Sequence, residues 1–203
     1  MNRHAQPATT NEENVGQGIT GAPFPSREYP VSLRGMAYAS MFGALTAAGA
    51  YIMIPLPPVP ITAQTFFVSL AGALLGGYLG AMSQVVYILL GVIGLPVFAG
   101  GKAGAGVLLG PTGGYLLGFV AGAYVTGFLA ARKERPGFWW LLLSMLAGYV
   151  FIYAFGIAQL MVVAKLTLAK ALAVGLIPTI PGGILKLVAA AFICLKVRGH
   201  IKL

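Results

Sequence analysis

From Ile61 to Phe98 the chain runs for about 38 residues as one apolar stretch, with Gly76, Gly77 and Gly80 at its centre. Few folds accept such a run. A helix that crosses a bilayer needs about 20 apolar residues. The run is therefore too long for one ordinary span and suits two, joined by a tight turn near Gly76–Gly80. Composition carries the same reading to the rest of the chain: of 203 residues, 58% are hydrophobic and only 8% are charged. From residue 33 onward there is room for about six to eight spans.

Residues 1–31 are polar and rich in Asn, Thr, Pro and Gln, without an apolar core. They read as a disordered cytoplasmic tail and not as a signal peptide. A first helix is expected from Leu33 to Ile54, where Pro55–Pro60 (PLPPVP) ends it for want of backbone donors. A fourth is expected over Gly114–Ala131, a fifth over Phe138–Val163 with Trp139 and Trp140 as interfacial anchors, and a sixth over Pro181–Val197. Lys165 and Lys170 flank the stretch connecting the last two. The expected fold is an all-α integral membrane protein, a six-helix bundle occupying residues 32–203. Six spans put both termini and the charged Ala131–Gly137 loop on one side of the lipid bilayer. That side holds Arg3, Arg27, Arg34, Arg132, Lys133, Arg135, Lys196, Arg198 and Lys202, against Lys102, Lys165 and Lys170 on the other. This nine-to-three bias predicts cytoplasmic termini. It also accounts for the basic excess without a nucleic-acid partner.

Several chemistries are absent. The only acids, Glu12, Glu13, Glu28 and Glu134, lie outside the apolar segments, and His4 and His200 lie near the ends. The spans thus lack the carboxylates and histidines that proton-coupled carriers use. Ser40, Ser69, Ser83 and Ser144 have no intramembrane base to activate them, which argues against an enzyme. The lone Cys194 supports neither a disulfide framework nor a metal site, and no cofactor is called for. Lys102 follows Gly101, but Pro96 and Ala103 break the phosphate-binding pattern GxxxxGK[ST], and Gly104, Gly106 and Gly110 miss GxGxxG by one residue.

What remains points to binding. Gly91 to Gly118 is dense in glycine and broken by Pro96 and Pro111. At membrane depth such backbone is tolerated where protein buries it or where it lines a cavity. Tyr87, Phe98, Tyr115 and Phe119 bracket it, either walling an apolar ring or packing helices. Lys186 sits about 7–8 Å into the sixth helix, where a lysine either snorkels or meets a polar group. With no carboxylate in the spans, a ligand is its natural partner, and the helix N-terminus adds positive potential beside it. Gln159, Gln84 and Gln64 either serve a polar solute or bond within the bundle. Ala39, Gly43 and Ala47, with Ala44 and Ala48 beside them, form a small-residue stripe that either meets a partner's helix or packs inside this bundle.

Three segments, taken together and in order, resemble the BioY family, the biotin-specific substrate-binding (S) components of energy-coupling-factor (ECF) transporters. They are PVPITAQTFFVSLAGALLGGYLGAMSQVVYILLGVIGLPVFAGG, GPTGGYLLGF and PGGILK, within Leu33–Lys196. The resemblance implies a six-helix fold in the bacterial cell membrane that captures biotin from outside. It also implies a separate transmembrane coupling protein and two cytosolic ATPases, with Ala39, Gly43 and Ala47 facing the coupling protein. By position it places the ligand site at Phe98, Ala99, Gly100 and Gly101, at Gly113, Gly114 and Tyr115, and at Lys186 with Gly183 before it; the residue reading adds Tyr87 and Gln159 as candidates. The family pattern before the lysine reads PGD; here Gly183 replaces the aspartate. An S component for another vitamin and a passive solute channel are the rival readings.

Overall fold

A computed structural model describes residues 32–198; the expected tail, residues 1–31, lies outside the described residues. Leu33–Tyr51 forms α1. It is opened by Ser32, whose Oγ accepts a 3.0 Å hydrogen bond from the Gly35 N–H. The bond satisfies one of the donors that a helix start leaves free. The helix stops short of the expected Ile54, because Met53–Ile54 (β1) leaves it to pair antiparallel with Ile61–Thr62 (β2). The Ala63 N–H then bonds back to Gly49 O at 3.1 Å and Ile52 O at 2.9 Å, fixing the strand pair to the end of α1.

The long apolar run is α2, Gln64–Val92, and it contains the expected reversal. Gly76 has φ 83° and ψ 175°, a region essentially closed to other residues. A Cβ placed on Gly80 would lie 2.8 Å from Gly72 Cα. Eight residues of straight helix would separate them by about 12 Å, so the two arms lie side by side. Beyond a long loop containing the single turn α3 (Gly106–Leu109), α4 (Gly113–Ala130) packs along both α2 and α5 (Phe138–Val163). Glycines set these contacts. A Cβ on Gly72 would come within 2.5 Å of Ala123 O, and one on Gly118 within 2.8 Å of Ile152 Cα.

The connection after α5 is more ordered than its sequence suggests. Leu168–Gly175 is a helix, α6, with Lys170 inside it and not flanking it. A 3-10 turn, Ile177–Thr179, leads into α7, Ile180–Val197, and Pro178 and Pro181 stand at the starts of these two elements. There a missing N–H costs little. Eight residues carry too short a pattern to separate α6 from a loop.

By length and composition, 64–92, 113–130, 138–163 and 168–197 are apolar enough to cross a membrane. The first doubles back and crosses twice, and α1, packed along α2, completes an all-α bundle of six passes. Gly127 meets the Gly76–Gly77 backbone, and Gly35 meets Leu79. Both helix ends therefore lie at the α2 turn. The strand pair, the long loop and α6 gather at the opposite end.

The helix 1 stripe needs correction. Ala39 and Gly43 are buried and Ala47 is half-buried, and a Cβ on Gly43 would lie 3.0 Å from Ser83 O. This face is the seam with α2. Polar pairing favours it as well, since Gln84 Nε2 donates to Thr46 Oγ1 at 3.3 Å across the seam. The small residues that face outward are Ser40, Ala44 and Ala48, one position further on.

Gly76→Ala should lower stability by roughly 1–3 kcal/mol, the cost of forcing a Cβ into that backbone region. Nothing lies within 4 Å of the added carbon, so no clash contributes. Gly137→Ala, at an extended position (φ −74°, ψ 173°) with equally open space, should leave the melting temperature unchanged. Equal melting of the two variants would contradict the strained reversal.

Candidate functional site

The end of the bundle opposite the α2 turn contains a cavity of about 70 Å³. Thr62, Gln64 and Thr65 reach it from the β2–α2 junction, and Phe98, Ala99 and Lys102 from the long loop. Tyr115 and Phe119 of α4, Tyr153 of α5, Lys186 of α7, and Thr112 and Thr179 complete the polar and aromatic lining. Lys186 lies about 9 Å along α7 from Ile180. Its Nζ donates to Thr62 O at 2.8 Å and to Thr65 Oγ1 at 3.0 Å. An ammonium has three donors, so one remains for a ligand. Among the described residues the only acid is Glu134, on the loop at the far end. The cavity thus brings two lysines together without a carboxylate. Charge held away from water without a counter-charge costs several kcal/mol.

The loop is fastened on both sides of its tip. The Phe98 ring fills the space that a side chain at Gly91 would need, and it meets the Tyr87 ring edge-on at 5.7 Å between centroids. The Phe98 N–H donates to Lys102 O and the Gly101 N–H to Phe98 O, each at 3.0 Å. This closes a tight turn in which Gly100 and Gly101 adopt φ 75° and 71°. The turn presents Ala99 and Lys102 to the cavity. Further on, Gln159 Nε2 donates to Leu108 O at 2.6 Å and to Gly110 O at 2.8 Å.

Of the expected site residues, Phe98, Ala99, Tyr115 and Lys186 line the cavity, and Gly100 belongs to the same turn. Tyr87 is fully buried one layer behind. Its hydroxyl accepts from Gln64 Nε2 and donates to Val97 O at 3.2 Å. Gly113, Gly114 and Gln159 stand beside the lining residues Thr112 and Tyr115 and bond or pack within the protein. The two glycines let α4 start against Leu108 and Phe155, and Gln159 ties the loop to α5. Gln84 bonds within the bundle, to Ser83 Oγ at 2.9 Å as well as to Thr46. Gly183 faces Tyr149, with ordinary contact distance, 3.4 Å, left for a Cβ. Its position lines a groove between α5 and the α6–α7 segment and not the cavity. Sequence reasoning missed Lys102 by judging it only as part of a nucleotide motif. It also missed Thr62 and Thr65, although a polar pair at the border of an apolar run is a visible signal.

The model of the BioY family matches residues 23–202. The biotin transporter BioY of Thermotoga maritima is 47% identical over 166 residues, covering 82% of this chain and 96% of that protein. The chain belongs to the BioY family. The biotin transporter BioY of Rhizobium etli is 39% identical over 173 residues, covering 80% of this chain and 92% of its own length. Among solved structures, the S-component for biotin from an ECF-type ABC transporter superposes with a TM-score of 0.75 at 28% identity. The match covers 82% of this chain and 92% of that one. The six-pass bundle described above is therefore the S-component fold of the family.

Replacing Gln159 with leucine removes two bonds from buried carbonyls, at a local cost of about 1–3 kcal/mol. Amide hydrogen exchange over residues 106–112 should quicken, while exchange in the spans and helix content stay unchanged. Unaltered exchange in the loop would show that Gln159 does not anchor it.

Proposed function

We propose that this chain is the biotin-binding S component of an ECF-type uptake transporter. The observation that carries the reading is Lys186, held by Thr62 and Thr65 at an aromatic-walled cavity that also contains Lys102 and no acid. Biotin supplies what this cavity lacks: a polar ureido ring at one end, fused to an apolar sulfur-containing ring, and a carboxylate at the end of an aliphatic chain. Lys186 takes the ureido oxygen with its free donor. Phe98, Tyr115 and Phe119 pack the bicycle, and exposed Lys102 at the loop turn takes the carboxylate. The free space is well below the roughly 300 Å³ usual for small-molecule sites. Entry therefore requires the loop tip to lift and then close over the ligand.

Energy comes from elsewhere in this reading, from a transmembrane coupling protein and two cytosolic ATPases. Ser40, Ala44 and Ala48 are the face offered to the coupling protein, because they form the outward small stripe of α1. The basic cluster of Arg34, Arg132, Lys133, Arg135, Lys196 and Arg198 faces the cytoplasm, in keeping with the preference for basic residues on that side. The cavity opens outside, where biotin arrives. In intact cells an impermeant thiol reagent should label a cysteine at position 102 and spare one at 133. The reverse pattern would invert the orientation.

Lys186→Met should weaken biotin binding roughly ten- to a hundred-fold, the worth of a charged hydrogen bond of about 1.5–3 kcal/mol. Biotin amide keeps the ring and removes the charge. Its penalty relative to biotin should persist in Lys186→Met and vanish in Lys102→Met. A penalty that vanishes in Lys186→Met would reverse the pose. Unchanged affinity in Lys186→Met, with melting unaltered, would remove the lysine from the site.

Ala44→Leu should abolish ATP-driven uptake and leave biotin affinity intact, since bulk there blocks only an outward contact. Gly43→Leu should reduce binding and thermal stability together, because it drives into the α2 backbone. Full uptake by Ala44→Leu would move the partner face away from α1.

A further inference from the structure

Tyr153 and Thr179 each line two spaces. On one side is the cavity of Lys186; on the other is an apolar groove of about 550 Å³ between α5 and the α6–α7 arm. The partition between them is one hydrogen-bonded pair: the Tyr153 and Thr179 hydroxyls lie 2.6 Å apart, and Thr179 Oγ1 donates to Leu176 O at 2.6 Å. Along α5 the groove runs from Leu146 to Met161, about 22 Å of helix. That exceeds one leaflet's share of a hydrocarbon core about 30 Å thick.

Water has almost nothing to bond to in this groove, because its few hydroxyls are already engaged or turned inward, and an apolar space stays dry. In a membrane the fluid at such a face is acyl chain. The two spaces meet midway along the groove at Tyr153 and Thr179, and the groove's end on the loop-and-α6 side of the bundle lies at Met161 and Leu168, which flank the α5–α6 linker in sequence. Lys165, in that linker, is exposed and adopts φ 51°. A cation at headgroup level beside an acyl-sized groove complements a phosphate.

We propose that the groove seats one acyl chain of an anionic phospholipid, with its phosphate at Lys165, and that this chain braces the Tyr153–Thr179 wall of the ligand cavity. The bracing rests on the biotin reading; the lipid site does not. Native mass spectrometry of the full chain, purified in mild detergent and supplied with phosphatidylglycerol, counts bound lipid. Calorimetry with and without that lipid reads biotin affinity.

Wild type should retain one phosphatidylglycerol and lose several-fold in biotin affinity when stripped. Ala158→Trp and, from the facing wall, Ile184→Trp should exclude the lipid, because an indole then fills the groove. Their biotin affinity should be indifferent to lipid. Lys165→Gln should weaken retention of phosphatidylglycerol more than that of phosphatidylcholine. Equal retention by wild type and whichever tryptophan variant folds would overturn the site. Retention without any effect on affinity would overturn the bracing. A protein that holds the lipid yet never binds biotin would refute the functional reading and leave the groove standing.

Discussion

Backbone-to-backbone contact between helices is the interaction on which the remaining structure depends. Lipid tails are as apolar as leucine, so burying a large side chain gains little inside a bilayer, and close packing has to supply the cohesion. Gly72, Gly80 and Gly127 bring both arms of α2 and the end of α4 into direct contact. Gly118, Gly122 and Gly148 do the same for α4 and α5, with a Cβ on Gly122 coming within 2.8 Å of Gly148 O. The result is a central unit of α2, α4 and α5, with α1 and the α6–α7 arm attached at its flanks.

That arrangement sets part of the cavity lining on packed helices and part on a loop. Tyr115, Phe119 and Tyr153 stand on the packed helices, whereas Ala99 and Lys102 stand on a loop turn fastened to α2 by Phe98, by the Tyr87 hydroxyl at Val97 O and by the Gly104 N–H at Gly91 O, and beyond it to α5 by Gln159. Lys186 crosses between the two regimes. Projecting from the peripheral α7, it is bonded to the β2–α2 junction, so the charged group proposed to meet the ligand also ties the arm to the core.

The fold was largely legible because apolar run length and glycine punctuation are strong signals in a membrane chain. The reversal at Gly76, the extent of α5 and the six passes all follow from them. The site was legible in part. Lys186 stood out because a lysine in an acid-free span demands a partner, but its actual partners, Thr62 and Thr65, lie more than a hundred residues away and no local pattern joins them. The outward face of α1 was misassigned by one residue, since Ala39–Gly43–Ala47 and Ser40–Ala44–Ala48 have equal spacing. Only the tertiary seam with Ser83 and Gln84 separates them. Gln159 looked like a ligand group for a similar reason: its two carbonyl acceptors belong to a loop whose path sequence does not reveal.

The central claim is that one acid-free cavity, organised by Lys186, selects biotin. Calorimetric titration of the purified chain in lipid nanodiscs with biotin, thiamin and riboflavin tests it most directly. The account predicts tight, saturable binding of biotin at one site per chain and no heat from the other two vitamins. Saturable binding of thiamin or riboflavin with none for biotin, or no saturable binding at all, would contradict it.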